Sequence, residues 1–346
     1  MNSYKVYHLS HTDLDGYGAQ VITNRYFDNI KFYNSNYGKE INERFEEIFS
    51  DISRDDFEKK IILITDVNLT PEQAKEFDSR VKISSENIML LLLDHHKSGQ
   101  NCANDFEWYY LDDTRCATKI TYDFFSSIFE KDEKLSKFVD VVNAVDIWLD
   151  DRDEFELGKV CLGLVSGAKE INRIMFPEEN SRYMFELLEK IQPYFDEENP
   201  HIVLDENIHK IKKEIFKQDK DDTLNNLISK QNVKMLTENR DKMQIVYENH
   251  KGILTYNIGN VSVIGNDFLK ANPDFDFFMD ISSRKTISLR ANGKLDVSKM
   301  AAHLANGGGH PNASGGLIGN FRDSFVYENI KKQIEDVITK KRGTNK

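Results

Sequence analysis

The sequence predicts an α/β protein with an N-terminal parallel-sheet domain flanked by helices, a helical connector, and a smaller C-terminal α/β domain. Two observations predict the parallel sheet. The runs at residues 5–10, 59–66 and 88–93 are short, apolar and rich in branched side chains, each followed by a helical pattern. Each run also ends at an acid or an imidazole, where open α/β sheets build their sites. A third observation separates the domains. Charged, amphipathic helical patterns fill about 181–240, and a new β-rich pattern begins near 241. The expected domains are therefore 1–180, 181–240 and 241–346.

Charge narrows the function. With 46 Lys and Arg against 58 Asp and Glu, the net charge is −12. A protein that coats long duplex nucleic acid needs a basic surface to neutralise phosphates. A small phosphate-bearing substrate held by cations in a cleft remains compatible. The three cysteines, Cys102, Cys116 and Cys161, form no CxxC pair, so neither a disulfide framework nor a zinc ribbon is expected. No apolar stretch approaches the length of a membrane span and no secretory h-region follows Met1. The expectation is a cytoplasmic protein without a membrane partner.

The first run leads into His11-Thr12-Asp13-Leu14-Asp15-Gly16 and then a helix. In an extended segment His11, Asp13 and Asp15 would project to one side, which suits a metal site. An acidic turn with an Asp N-cap is the equal alternative. An amphipathic helix is expected from residue 39. The second run ends at Asp66, beyond which Thr70 and Pro71 cap the next helix. Capping does not account for Asp66, which favours a ligand role.

The third run ends in Asp94-His95-His96. A helix then opens near Thr114, Arg115 and Thr118, either facing an anion or capped by Asp113 or Thr114. An apolar helix over 138–148 carries Asp140, Asn143 and Asp146. A carboxylate on so apolar a face meets a cation or costs free energy, and Asp146 is the preferred ligand. In the C-terminal domain, strands are expected at 244–247, 252–256, 275–281 and 286–290, then a short helix over 297–304. The run Gly307-Gly308-Gly309-His310 follows. Its glycines would let backbone N–H groups approach a phosphate or base, or form a flexible loop with an incidental histidine. A charged helix over 324–341 and a disordered tail are expected to end the chain.

His11, Asp13, Asp15, Asp66, His95 and Asp146 are too many ligands for one structural ion. They suit two cations sharing a bridging carboxylate, a clamp about 3.5–4 Å across that activates water and neutralises developing charge in phosphoryl transfer. Mixed imidazole and carboxylate donors fit Mn²⁺ better than Mg²⁺, although Mg²⁺ is compatible.

The chain resembles the DHH phosphoesterase superfamily in its two-domain DHH plus DHHA1 form. His11-x-Asp13-x-Asp15-Gly16, Asp66, Asp94-His95-His96 and Asp146 match the first domain's four motifs in order, and Gly307-Gly308-Gly309-His310 matches the second domain's signature. The resemblance covers nearly the whole chain except its middle helices. It implies that His11, Asp13 and Asp66 hold one ion, and that Asp15, Asp66, His95 and Asp146 hold the other, with Asp66 bridging. It implies that Asp94 supports a histidine ring and that His96 bonds the scissile phosphate or protonates the leaving oxygen. Arg290 and His310, with Gly308, Gly309 and the weaker candidates Arg284 and Arg115, would bind substrate in a cleft between the domains. Many members place the first histidine four residues before the first aspartate. The two-residue spacing here resembles the NrnB-type nanoRNases.

The resemblance therefore implies an Mn²⁺-dependent phosphodiesterase that cuts short oligoribonucleotides to 5′-mononucleotides. The alternative is a phosphodiesterase or phosphatase of small nucleotides: linear or cyclic dinucleotides, cyclic mononucleotides, or 3′-phosphoadenosine 5′-phosphate. Oligomeric state is left open, a homodimer included.

Overall fold

The computed structural model describes residues 4–342. The expected disordered tail lies largely outside the described residues. The chain forms two compact units, one comprising 1–168 with 181–211 and the other 169–180 with 212–346. The stretch expected as a separate connector is thus shared between the units, because its amphipathic helices bury their apolar faces against neighbours.

The first unit opens with β1 (Tyr4–Ser10), α1 (Leu14–Asn24), β2 (Ile30–Asn34), α2 (Lys39–Ile52), β3 (Lys59–Thr65), α3 (Pro71–Ile83) and β4 (Ile88–Asp94). It continues through α4 (Gln100–Asp105), β5 (Tyr109–Leu111), α5 (Ala117–Ile128), α6 (Ser136–Asp146) and α7 (Phe155–Ser166). The five strands are all parallel, in the order β2-β1-β3-β4-β5. The three predicted runs are its central strands. The edge strands β2 and β5 were not predicted. Ile-Lys-Phe-Tyr-Asn and Tyr-Tyr-Leu are too short or too polar to stand out by periodicity.

This strand order reverses between β1 and β3, so the crevice at their carboxyl ends is the sheet's switch point, where such folds place ligands. One face of the sheet buries a core that includes Ile62, Ile64, Phe45 and Phe77, the last two stacked with centroids 3.4 Å apart. Each such Phe contributes about 1.5–3 kcal/mol by leaving water. The α3 cap is as predicted: the Thr70 side chain accepts from Gln73 N–H, the Gln73 side chain returns the bond, and Pro71 starts the helix.

Helices α8 (Pro177–Ile191), α9 (Pro200–Phe216), α10 (Leu224–Glu238) and α11 (Arg240–Met243) follow. The second unit's sheet contains β6 (Gln244–Tyr247), β7 (His250–Tyr256), β8 (Phe277–Ile281), β9 (Thr286–Ala291), β10 (Gly308–His310) and β11 (Ala313–Leu317). Helices α12 (Val261–Ala271), α13 (Val297–Ala305) and α14 (Tyr327–Arg342) complete it. Strand order is β10-β11-β9-β8-β7-β6, with only β7 and β8 parallel. The glycine run is therefore not a loop, since Gly308–His310 is an edge strand paired with β11. Among the described residues, no helix is long and apolar enough to cross a membrane.

Candidate metal centre

The acidic turn after β1 is both a cap and part of a cluster. Asp13 is the N-cap of α1, its Oδ1 accepting from Gly16 N–H at 3.0 Å while its Oδ2 lies 2.7 Å from His11 Nδ1. Asp15 sits inside the first helical turn, so the three residues do not share an extended segment. Helix geometry brings them together instead. Gly16 is required by space, since a Cβ there would lie 2.5 Å from the His11 carbonyl oxygen.

Asp66 leaves β3 with φ 56°, a left-handed conformation that Asp tolerates better than most residues. This conformation aims its buried carboxylate into the crevice. Asp66 Oδ1 lies 3.3 Å from His95 Nε2, and Oδ2 lies 3.8 Å from His11 Nδ1. His95 Nε2 is also 3.5 Å from Asp146 Oδ2 and 3.7 Å from Asp15 Oδ2. Two sets of donors thus converge, His11 with Asp13 and Asp15 with His95 and Asp146, and each meets one oxygen of Asp66. The six predicted ligands are all at this centre. Asp140 is not part of it and pairs with Lys119 at 2.6 Å.

The start of α5 departs from the sequence reading. Cys116, rather than Asp113 or Thr114, is the N-cap position. The helix N-terminus is buried, and the anion it meets is Asp15. Ala117 and Thr118 N–H donate to the two Asp15 oxygens at 2.7 Å each. The Cys116 thiol lies within ligand distance of Asp15 and Asp146, and Cys116 N–H donates to Asn143 Oδ1 at 2.9 Å. Burial, then Asp15 and Asp146, pushes that thiol well above its usual range. The predicted substrate contact Arg115 is otherwise engaged. Its guanidinium bonds Asp112 at 2.7 Å, Asp123, and the Tyr110 hydroxyl at 3.2 Å.

Beside the cluster runs a polar line. Tyr109 donates to Asp94 Oδ2 at 2.9 Å, and Asp94 Oδ1 is 2.7 Å from His96 Nδ1. His96 Nε2 meets the Tyr37 hydroxyl at 3.0 Å. Burial would lower the His96 pKa, but its bond to Asp94 and the charge of Asp94 raise it overall. His8 lies apart, buried in β1 with Nε2 2.8 Å from Thr65 Oγ1, and burial lowers its pKa to about 3. Its role is structural. Tyr37, Tyr109 and Cys116 escaped the sequence reading because their motifs carry no distinguishing spacing.

Electrostatics test whether the residues suit cations. Burial, then Asp15, Asp13 and Asp146, pushes Asp66 well above the carboxylate range. Burial, then Asp15 and Asp13, pushes Asp146 up to about 9. Burial opposes ionisation of Asp13, yet His11 and Gly16 N–H hold it down at about 2. Among the described residues, the cationic partners within 4.0 Å of Asp13, Asp15, Asp66 and Asp146 are imidazoles alone. Asp66 Oδ2 is buried without a hydrogen-bond partner. Acids crowded this closely are costly unless cations neutralise them, so the donor set fits divalent metal.

In the second unit, His310 pairs in register with Ala313, and Ala313 with Arg290. Arg290 and His310 therefore share one face, two strand spacings or about 10 Å apart. Arg290 is half-buried and bonds Ser262 Oγ at 2.7 Å. A Cβ at Gly308 would meet open space, whereas one at Gly309, with φ 145°, would lie 2.6 Å from the Ala313 carbonyl oxygen. Arg284 is exposed between β8 and β9.

The chain is similar to the 3′,5′-cyclic-nucleotide phosphodiesterase of Helicobacter pylori (strain ATCC 700392 / 26695), 42% identical over 342 residues, covering 96% of this chain and 98% of that protein. It is also similar to the crystal structure of an uncharacterized protein from Helicobacter pylori G27, with a TM-score of 0.92, 41% identity, and coverage of 97% and 99%. The Mn²⁺ complex of RecJ from Thermus thermophilus is 11% identical, covering 97% of this chain and 52% of that one; its TM-score of 0.30 carries no argument. No protein-family model matches the chain.

Proposed function

The chain belongs to the DHH phosphoesterases, in the family of the Helicobacter pylori 3′,5′-cyclic-nucleotide phosphodiesterase, and from that premise we propose that it hydrolyses small nucleotides, 3′,5′-cyclic nucleotides foremost. The observation that carries the chemistry is the Asp66 carboxylate, which offers Oδ1 to one donor set and Oδ2 to the other. His11, Asp13 and Asp66 would hold one divalent ion, and Asp15, Asp66, His95 and Asp146 the second. Their mixed donors favour Mn²⁺. Two such ions supply Lewis-acid polarisation of the phosphate and a water of lowered pKa.

The protein's own groups do the positioning. The N-terminus of α5 fixes the Asp15 carboxylate through two backbone N–H bonds. Asp94 holds His96 Nδ1, which leaves Nε2 facing outward to meet a phosphate or leaving oxygen. On the second unit, the row of Arg290 and His310 suits a phosphate or base. The net charge of −12 supports a compact substrate over a long polyanion.

A panel with Mn²⁺ tests this reading: cyclic AMP, cyclic GMP, linear dinucleotides, RNA of two to about ten nucleotides, and 3′-phosphoadenosine 5′-phosphate. The expected result is the highest kcat/KM on a cyclic mononucleotide, abolished by chelator. A higher value on short RNA would move the substrate class to the oligoribonucleotides suggested by the motif wording. Failure to hydrolyse any of them sinks the proposal.

A further inference from the structure

Tyr37 lies outside every motif, yet its hydroxyl is 3.0 Å from His96 Nε2. Its ring lies beside two site imidazoles, with centroids 4.8 Å from His11 and 5.7 Å from His96. Tyr37 is also 43% exposed, so the ring borders solvent at the rim of the cluster.

This position is built rather than incidental. Both chain neighbours are tied down. Asn36 donates through its backbone N–H and its Nδ2 to Glu40 Oε2, at 2.8 and 3.0 Å, and Glu40 is fully buried. The Gly38 carbonyl accepts from Gln73 Nε2 at 3.2 Å. A loop anchored on both sides of an exposed aromatic holds that side chain in place at little further entropy cost on binding.

Because Asp94 occupies His96 Nδ1, Nε2 is the ring atom free to face an incoming group. Without substrate, the Tyr37 hydroxyl takes that place. Resting on the small-nucleotide reading above, we propose that Tyr37 is a substrate-positioning residue. A phosphate oxygen of the nucleotide enters between the two rings, and the phenol O–H turns from His96 Nε2 to donate to that oxygen. A hydrogen bond to a charged phosphate is the stronger of the two, which drives the exchange. Tyr37 would thereby select ligands whose phosphate sits beside the metal ligands.

Tyr37→Phe removes the hydroxyl and keeps the ring. The test measures KM and kcat for cyclic AMP with Mn²⁺, and calorimetric binding of 5′-AMP. Loss of one charge-assisted bond made in both ground and transition states should raise KM and weaken 5′-AMP binding by about tenfold, with kcat within about twofold. The unfolding midpoint should not change. Unchanged KM and 5′-AMP affinity would overturn the assignment, as would a fall in kcat alone. A wild-type protein that neither hydrolyses cyclic AMP nor binds 5′-AMP would overturn the small-nucleotide reading and this one together. An active wild type with an unaffected variant would overturn Tyr37 alone.

Discussion

Asp15 and Thr118, 103 positions apart in sequence, are joined by two bonds: Thr118 N–H to Asp15 Oδ1 at 2.7 Å, and Thr118 Oγ1 to the Asp15 carbonyl at 2.8 Å. They lock the first turn of α1 to the first turn of α5. The positive end of α5 therefore faces a carboxylate that is also at the metal centre.

Thr118→Val keeps the shape and deletes the hydroxyl. Because the backbone N–H bond survives, the expected loss is about 1 kcal/mol of stability, read from urea unfolding. Gly18→Ala should cost more, since its Cβ would lie 2.4 Å from Thr118 Oγ1.

Asp66→Asn keeps a residue that accepts the left-handed backbone and removes the charge. Hydrolysis should fall by more than about a hundredfold, beyond the usual effect of an outer-shell partner. In chelator the variant should unfold at a higher temperature than wild type, because a buried, repelled carboxylate is gone. A lower melting temperature in chelator would contradict the electrostatic account.

Asp146 supplies a pH test. Its folded pKa of about 9 exceeds the ordinary aspartate value of 3.8. Between those values the native state holds a proton that the unfolded chain has lost, so Asp146 lowers metal-free stability progressively as pH rises. Asp146→Asn should therefore stabilise the chelated protein more at pH 8 than at pH 5, measured by thermal unfolding. Mn²⁺ binding to wild type should release protons in that window, visible as a buffer-dependent heat, and less so in the variant.

Asp94→Asn replaces the carboxylate that fixes His96 Nδ1 with an amide able to donate or accept. Hydrolysis should drop by about 10–100-fold, with Tyr109→Phe causing a smaller loss in the same direction. Steady-state kinetics on the preferred nucleotide checks both.

The readable parts of this fold share one property: their signals are local. Residues 59–65 and 88–93 declare buried strands through an apolar run, and Thr70-Pro71 declares a helix start through a cap. Asp66 stood out because no cap explained it. Strands β2 and β5 carry no such run, and they join the sheet because a neighbour offers an edge. The Tyr37 contact with His96 depends on that unpredicted β2, so it could not be anticipated.

By itself, the sequence determined which residues could be ligands, since donor chemistry is a property of side-chain type, and that they fall at strand ends. It also set the acidic balance that disfavours long nucleic acid. Only the tertiary structure decided how the donors divide. The 2-1-3 strand order places Asp13 and Asp66 at one crevice, and the left-handed turn at Asp66 points its two oxygens to different partners. Packing brings the α5 N-terminus onto Asp15 across 102 residues, engages Arg115 with Asp112 and Asp123, and sets Tyr37 against His96. The physical reason is range. Propensity and capping act over a few residues, whereas the charges of a buried cluster interact through space among segments that only the folded sheet brings together.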